Sequence, residues 1–116
     1  MQVEELRDLV LETLDDMKAR DINVIDVRGK TSITDFMIIA SGSSSRKVKA
    51  MANAVVEAAK HAGEQPVGTE GEQTSEWILI DLGDVIVHAM QREPRLFYQL
   101  EKLWSAAENE RNTVQS

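Results

Sequence analysis

Residues 77–90 read Trp-Ile-Leu-Ile-Asp-Leu-Gly-Asp-Val-Ile-Val-His-Ala-Met, and this stretch decides the fold. Two runs rich in aliphatic and β-branched residues, which favour strands, flank the dipeptide Gly83-Asp84. A glycine at the first central position of a two-residue turn adopts a positive φ without steric cost, which favours a type II′ turn. The stretch therefore predicts a β-hairpin in which Leu82 lies opposite Val85 and the other pairs follow outward.

The two faces of this hairpin differ in character because side chains alternate across a strand. One face is wholly apolar, and we expect it to form part of the core. The other mixes Trp, Met and aliphatic side chains with polar ones, which indicates a contact surface for another macromolecule. A helix of the same chain lying over this mixed face is the alternative, since both faces of α/β sheets are often covered. The mixed face pairs Asp81 with Ile86, Leu79 with His88, and Trp77 with Met90.

Three amphipathic helices are predicted from apolar residues that recur at three- and four-residue steps. The first covers about residues 3–18. The second follows a serine-rich loop at 41–45 and continues to His61, and Gly63 stops it. The third begins at Glu93-Pro94, with proline near the first helical position.

Short apolar runs outside the hairpin predict three more strands, at 22–27, 36–40 and 66–70. The last is expected at a sheet edge because proline has no N–H to donate to a ladder. With the hairpin, these runs give an α/β (α+β) architecture, a mixed sheet of about five strands packed with three helices. We expect a single domain over residues 1–107 and a flexible C-terminal tail over 108–116.

The composition limits the kinds of partner. The net charge of −7 over 116 residues argues against wide contact with a nucleic-acid backbone and favours a basic protein partner. The absence of cysteine excludes thiol nucleophiles, cysteine metal sites and disulfides. The first residues lack the features of a signal peptide, and no apolar run is long enough to span a membrane. We therefore expect a cytoplasmic protein with no membrane partner.

Two short motifs could bind phosphate, but each has a simpler interpretation. Gly29-Lys30-Thr31 matches the end of a P-loop, whose first glycine would fall at Val24 in a predicted strand, so an ordinary turn is favoured. The serines of the 41–47 stretch, with the neighbouring Arg46 and Lys47, could hold an anion at a helix N-terminus. A capped helix with solvated basic residues is the interpretation we favour.

Metal-dependent and acid–base chemistry find little support in the sequence. The segment Ser41-Gly42-Ser43 before a helix is similar to the Gly-Ser signature of nucleotidyltransferases, which need paired carboxylates to hold two metal ions. No Asp-x-Asp pair occurs on a predicted strand, and Asp81 and Asp84 flank a turn. The two histidines, His61 and His88, lie on different elements. We expect no catalytic residues, no metal and no cofactor.

Several motifs together resemble the ribosomal silencing factor family, also called the Iojap family, over roughly residues 4–105. The hairpin from Trp77 to His88 and the helix that follows it are specific features of the resemblance. The matching segments are Ser32-Ile33-Thr34-Asp35-Phe36, Ser41-Gly42-Ser43-Ser44-Ser45-Arg46, Glu70-Gly71, Trp77 with Asp81-Leu82-Gly83-Asp84-Val85-Ile86-Val87-His88, Arg95-Leu96-Phe97-Tyr98, and Leu100-Glu101-Lys102-Leu103-Trp104.

The resemblance implies a non-catalytic protein with a nucleotidyltransferase-like fold that lacks the metal carboxylates. It implies binding to the large ribosomal subunit through ribosomal protein fourteen of that subunit, which obstructs joining of the small subunit and represses translation under nutrient limitation. Organellar relatives act in assembly of the large subunit. A nucleotide-binding enzyme of the nucleotidyltransferase type, and a homodimer of the free protein that buries the mixed face, are the competing hypotheses. We expect no direct nucleic-acid readout.

The hairpin's mixed face is the predicted site for this partner. Trp77 and Met90 would be its anchors, and charged residues would form its rim. The predicted partner-binding residues are Trp77, Leu79, Asp81, Ile86, His88 and Met90, with Asp84 and Glu70 at the rim and Tyr98 as a neighbour.

Overall fold

Helices precede and separate the strands of one sheet in the computed structural model, which describes residues 1–91. The elements are α1 (Val3–Asp16), β1 (Arg20–Asp26), β2 (Phe36–Gly42), α2 (Ser45–His61), β3 (Gly68–Glu70), β4 (Trp77–Asp81) and β5 (Val85–Gln91). The five strands lie in the order β1-β2-β5-β4-β3. Strands β2 and β5 are parallel, and the other neighbours are antiparallel.

This arrangement confirms the predicted α+β class and the mixed sheet of five strands. The element bounds differ from the predicted ones by two residues at most, for example at β1, which begins at Arg20, and β2, which continues to Gly42. Two helices are present among the described residues, where three were predicted for the whole chain. The third helix, from Glu93, and the tail at 108–116 lie outside the described residues. Neither α1 nor α2 has the length and apolar character needed to cross a membrane.

The β4–β5 hairpin has the register that the sequence predicts. Trp77 pairs with Met90 at one end and Asp81 with Ile86 at the other. At the turn, the Leu82 N–H donates to the Val85 carbonyl oxygen at 2.9 Å, and Gly83 has a φ of 87°. Such a positive φ at the first central residue fits the predicted type II′ turn.

One face of the sheet packs against both described helices and forms the main core. The face predicted to be wholly apolar is this one, and its residues on β4 and β5 are at most 6% exposed. Strand β2 continues the same surface with Phe36, Ile38 and Ala40. From the helices, the core receives Leu6, Val10 and Leu14 of α1 and Val48, Met51, Ala52, Val55 and Ala59 of α2.

Local capping fixes both ends of α2. The Ser44 side chain accepts a hydrogen bond from the Lys47 backbone N–H at 3.1 Å, as an N-cap residue does. At the other end, Gly63 has a φ of 84°, and the Glu64 N–H donates to the Ala59 carbonyl oxygen at 2.9 Å. This is a Schellman motif, and it explains why the predicted stop at Gly63 is correct.

Candidate functional site

The second face of the sheet, which carries the mixed residues of the hairpin, divides into an exposed part and a buried part. The exposed part lies on the outer strands: Trp77 is 39% exposed, Leu79 and Asp81 are half-buried, and Glu70 and Asp84 are exposed. We call these five residues the outer strip. Trp77, Leu79 and Asp81 alternate along β4, Glu70 of β3 pairs with Leu79, and Asp84 lies in the turn that follows.

The inner part of the face lies on β5, and its side chains are buried. Ile86, His88 and Met90 were predicted as part of the contact surface, and they are only 7%, 4% and 0% exposed. Strand β5 is the central strand of the sheet, with β2 and β4 on its two sides. Met90 packs in a second apolar cluster with Met37 and Ile39 of β2. A partner that docks on this conformation would therefore meet the outer strip and not these three side chains.

Trp77 is tied to the buried part by a hydrogen bond. Its indole Nε1–H donates to Nδ1 of His88 at 2.9 Å, and the two ring centroids are 5.7 Å apart with the planes tilted by 44°. Because the indole N–H can only donate, Nδ1 of His88 must be unprotonated, and the neutral ring carries its proton on Nε2. The exposed surface of Trp77 is therefore an aromatic ring whose single polar group is already bound.

His88 is held in its neutral form by its surroundings. Burial lowers its pKa from 6.5 to about 4, because the charged ring would lose most of its hydration. Its Nε2 atom is also buried and makes no hydrogen bond to any described residue. The ring thus offers one acceptor, used by Trp77, and one buried donor.

The loop before β4 lies close to the backbone carbonyl group of Trp77. Gly71 has a φ of 88°, and a β-carbon built there would overlap the carbonyl oxygen of Trp77. Ser75 closes the loop through its hydroxyl, which donates to the Glu72 carbonyl oxygen at 2.9 Å. Gly71 belongs to the Glu70-Gly71 segment of the family resemblance, but no role was predicted for it, because a close backbone approach leaves no local signal beyond the glycine itself.

The two aspartates at the turn play different parts. The Asp81 carboxylate accepts a hydrogen bond from the Gly83 N–H at 2.8 Å and so stabilises the turn. The Asp84 carbonyl oxygen accepts from the N–H groups of Asp35 and Phe36, at 2.9 and 3.1 Å, and the residue itself is exposed. With Glu70, these two carboxylates give the outer strip a negative rim.

The other motifs have structural roles in the described part of the chain. Gly29-Lys30-Thr31 forms a turn, in which the N–H groups of Lys30 and Thr31 donate to the Val27 carbonyl oxygen. Within residues 1–91, no three histidine, aspartate or glutamate side chains gather closely enough to hold a metal ion. The predicted neighbour Tyr98 lies outside the described residues.

Within residues 1–91, the fold and the site define a class of protein: a small α+β domain with two helices on one sheet face and an exposed tryptophan and carboxylates on the other. All 116 residues match the family described as "Ribosomal silencing factor during starvation". The chain belongs to the ribosomal silencing factor family, which confirms the resemblance seen in its motifs.

Individual relatives support this assignment over most of the chain. Ribosomal silencing factor RsfS of Haemophilus influenzae is 54% identical over 100 residues, which are 86% of this chain and 98% of the relative. A crystal structure of a Chromobacterium violaceum protein has a TM-score of 0.85 at 44% identity and covers 90% of this chain and 88% of its own. The mouse protein named "Mitochondrial assembly of ribosomal large subunit protein 1" is 37% identical over 84% of this chain and 44% of its own length.

Proposed function

We propose that the protein binds the large ribosomal subunit at its ribosomal protein fourteen, through the outer strip, and blocks joining of the small subunit. Translation is thereby repressed under nutrient limitation. Membership of the ribosomal silencing factor family supports the role in translation. The observation that carries the proposed surface is the exposed ring of Trp77, whose indole N–H is already bound to His88.

The exposed ring gives a partner an apolar surface without an unsatisfied polar group. A partner that covers Trp77 removes aromatic area from water and does not have to replace the indole hydrogen bond, since His88 supplies it from within the domain. Aromatic anchors of this kind contribute about 2 kcal/mol or more when fully buried in an interface. Leu79, half-buried beside His88 in the ladder, extends the apolar contact.

Charge favours a basic protein as the partner. Glu70 lies opposite Leu79 on β3, Asp81 ends β4 and Asp84 lies in the turn, and the whole chain carries a net charge of −7. These charges attract and orient a basic ribosomal protein at long range, and they repel exposed phosphates. Contact with ribosomal protein is therefore favoured over direct readout of ribosomal RNA.

Repression requires no chemistry in this proposal. The domain measures 44 × 34 × 22 Å along its principal axes, so its volume alone prevents the small subunit from closing onto the same surface. The fraction of subunits blocked depends on affinity and on protein concentration. We therefore assign no catalytic residue and no cofactor, and we place the protein in the cytoplasm, where ribosomes join.

Sedimentation of purified subunits tests the proposal. The wild-type protein should shift the equilibrium from joined ribosomes to free subunits, and Trp77→Ala should weaken this effect by about tenfold or more. Val24→Ala is the matched control, because Val24 is similarly exposed, at 36%, but lies on β1 at the opposite edge of the sheet. Equal blocking by Trp77→Ala and wild type would show that the outer strip is not the binding surface.

Assembly of the large subunit is the second candidate function, and the name of the mouse relative favours it. The two functions differ in timing, because an assembly factor acts before the subunit is complete. Cells that lack the protein would then accumulate immature large subunits during growth with ample nutrients. Normal large subunits in such cells, with excess subunit joining during starvation, would favour the blocking function.

A further inference from the structure

We infer that His88 is a positioning residue for Trp77: its Nδ1 atom fixes the orientation in which the indole ring meets the partner. This inference rests on the proposed function, and it gives His88 a part different from the direct contact expected from the sequence. His88 is 4% exposed and cannot reach a partner in this conformation, whereas Trp77 is 39% exposed and can.

The sheet register brings the two rings together. Trp77 pairs with Met90 and His88 pairs with Leu79, so Trp77 and His88 are diagonal neighbours on the same face of the hairpin. The hydrogen bond of 2.9 Å joins the edge of the indole to the imidazole, and the tilt of 44° excludes parallel stacking as the main contact. The hydrogen bond to His88, more than ring stacking, therefore determines the rotamer of Trp77.

The burial and position of the two residues indicate that His88 orients Trp77, and not the reverse. His88 lies on the central strand, is buried, and has little freedom to change its own rotamer. Trp77 begins β4, next to a three-residue edge strand, and more than a third of its surface meets solvent. An exposed tryptophan loses rotamer freedom when it binds, and a bond made in advance to a fixed acceptor reduces that entropic cost.

The polar nature of His88 is not explained by packing. Its buried Nε2–H has no partner among residues 1–91, and an unsatisfied buried donor is unfavourable for folding. A phenylalanine would place a somewhat larger aromatic ring there without a buried polar atom. What phenylalanine cannot provide is the acceptor that Trp77 uses, so the histidine contributes to the site and not to the stability of the core.

Two substitutions separate these contributions. His88→Phe removes both the unsatisfied donor and the acceptor, so the protein should remain folded while the Trp77 N–H loses its partner. His88→Asn places a side-chain oxygen near the position of Nδ1 and can accept the same bond. The ¹H–¹⁵N signal of the Trp77 indole reports the bond directly, and it is identified as the signal missing from the spectrum of Trp77→Ala.

The experiment combines this spectrum with binding to purified large ribosomal subunits. In His88→Phe we expect faster exchange of the indole proton with solvent and binding weakened about fivefold to tenfold, both largely restored in His88→Asn. If Trp77→Ala weakens binding and His88→Phe does not, the positioning role is wrong while the proposed function stands. If Trp77→Ala also binds normally, the proposed function fails and the inference with it.

A measurement on the unmodified protein covers the case in which His88→Phe does not fold. A hydrogen bond between two nitrogens transmits a scalar coupling, which should join Nε1 of Trp77 to Nδ1 of His88 in ¹⁵N-labelled wild-type protein. The same spectrum should show the His88 proton on Nε2. Absence of the coupling, or a proton on Nδ1, would overturn the inference.

Discussion

The carbonyl oxygen of Trp77 lies against Gly71 so closely that no β-carbon fits at position 71. The loop between β3 and β4 therefore depends on glycine both for this approach and for its φ of 88°. Because the contact is made to the backbone of Trp77, which belongs to the outer strip, a change in the loop should affect both stability and binding.

Gly71→Ala is expected to lower the free energy of unfolding by about 2–4 kcal/mol, through backbone strain and displacement of Trp77. Urea denaturation measures this change. Gly29→Ala separates the two causes, since Gly29 has a φ of 77° with nothing within 4 Å of the added carbon, and should cost only about 1 kcal/mol. Similar losses in the two variants would show that the approach to Trp77 is unimportant.

Acid should destabilise the protein through His88. Its pKa is about 4 when folded and 6.5 as an unperturbed side chain, so between these values the unfolded chain binds more protons. Stability from this group is fully present above pH 6.5 and falls as the pH is lowered to about 4, by at most about 3 kcal/mol. Below that pH the contribution of His88 is constant.

Urea denaturation of wild type and His88→Phe between pH 7 and pH 4 checks this expectation. The carboxylates titrate in both proteins, so the difference between the two curves isolates His88. As the pH falls, the free energy of unfolding of the wild type should decrease relative to that of His88→Phe. Parallel curves over this range would show that His88 is not held neutral by burial.

Asp81 should contribute to the turn and to the charged rim separately. Asp81→Asn keeps an oxygen for the Gly83 N–H and should retain stability, while the loss of the negative charge slows association with a basic partner. Asp81→Ala loses the bond as well and should cost about 1 kcal/mol of stability. Thermal unfolding and association kinetics measure the two effects, and equal stability of the two variants would contradict a capping role.

The carboxylates of Glu70 and Asp84 should act mainly through long-range attraction, because both residues are exposed. The double variant Glu70→Gln and Asp84→Asn is expected to associate more slowly at low salt, by about threefold to tenfold, with little change in dissociation. The difference should disappear near 1 M salt. An unchanged association rate at low salt would show that these charges do not face the partner.

The register of the hairpin could be predicted from the sequence because its determinants are local. Gly83 sets the turn, and alternation then assigns Ile78, Ile80 and Val87 to one face and Trp77 and His88 to the other. The turn position and the alternation together therefore assign each hairpin residue to a face of the sheet. Both the turn and the alternation are determined by residues close together in the sequence, and they do not depend on the rest of the sheet.

The depth of each residue could not be predicted, because it depends on which strands lie on either side. The parallel pairing of β2 with β5 joins segments separated by α2, β3 and β4, and it makes β5 central. Ile86, His88 and Met90 on this strand are buried, while Trp77 on β4 is 39% exposed. The bond between Trp77 and His88 likewise required the coordinates, since alternation places two side chains on one face without fixing their rotamers.

The short length of β3 has a consequence for self-association. A sheet edge with many free backbone groups can recruit a strand from another molecule and grow into fibres, and this hazard rises with the length of the edge. Strand β3 has only three residues, and Pro66 stands just before it, so the backbone beside the outer strip offers few groups for such growth. Among residues 1–91, the exposed aromatic ring of Trp77 therefore lies near a sheet edge that is too short to favour polymerisation through it.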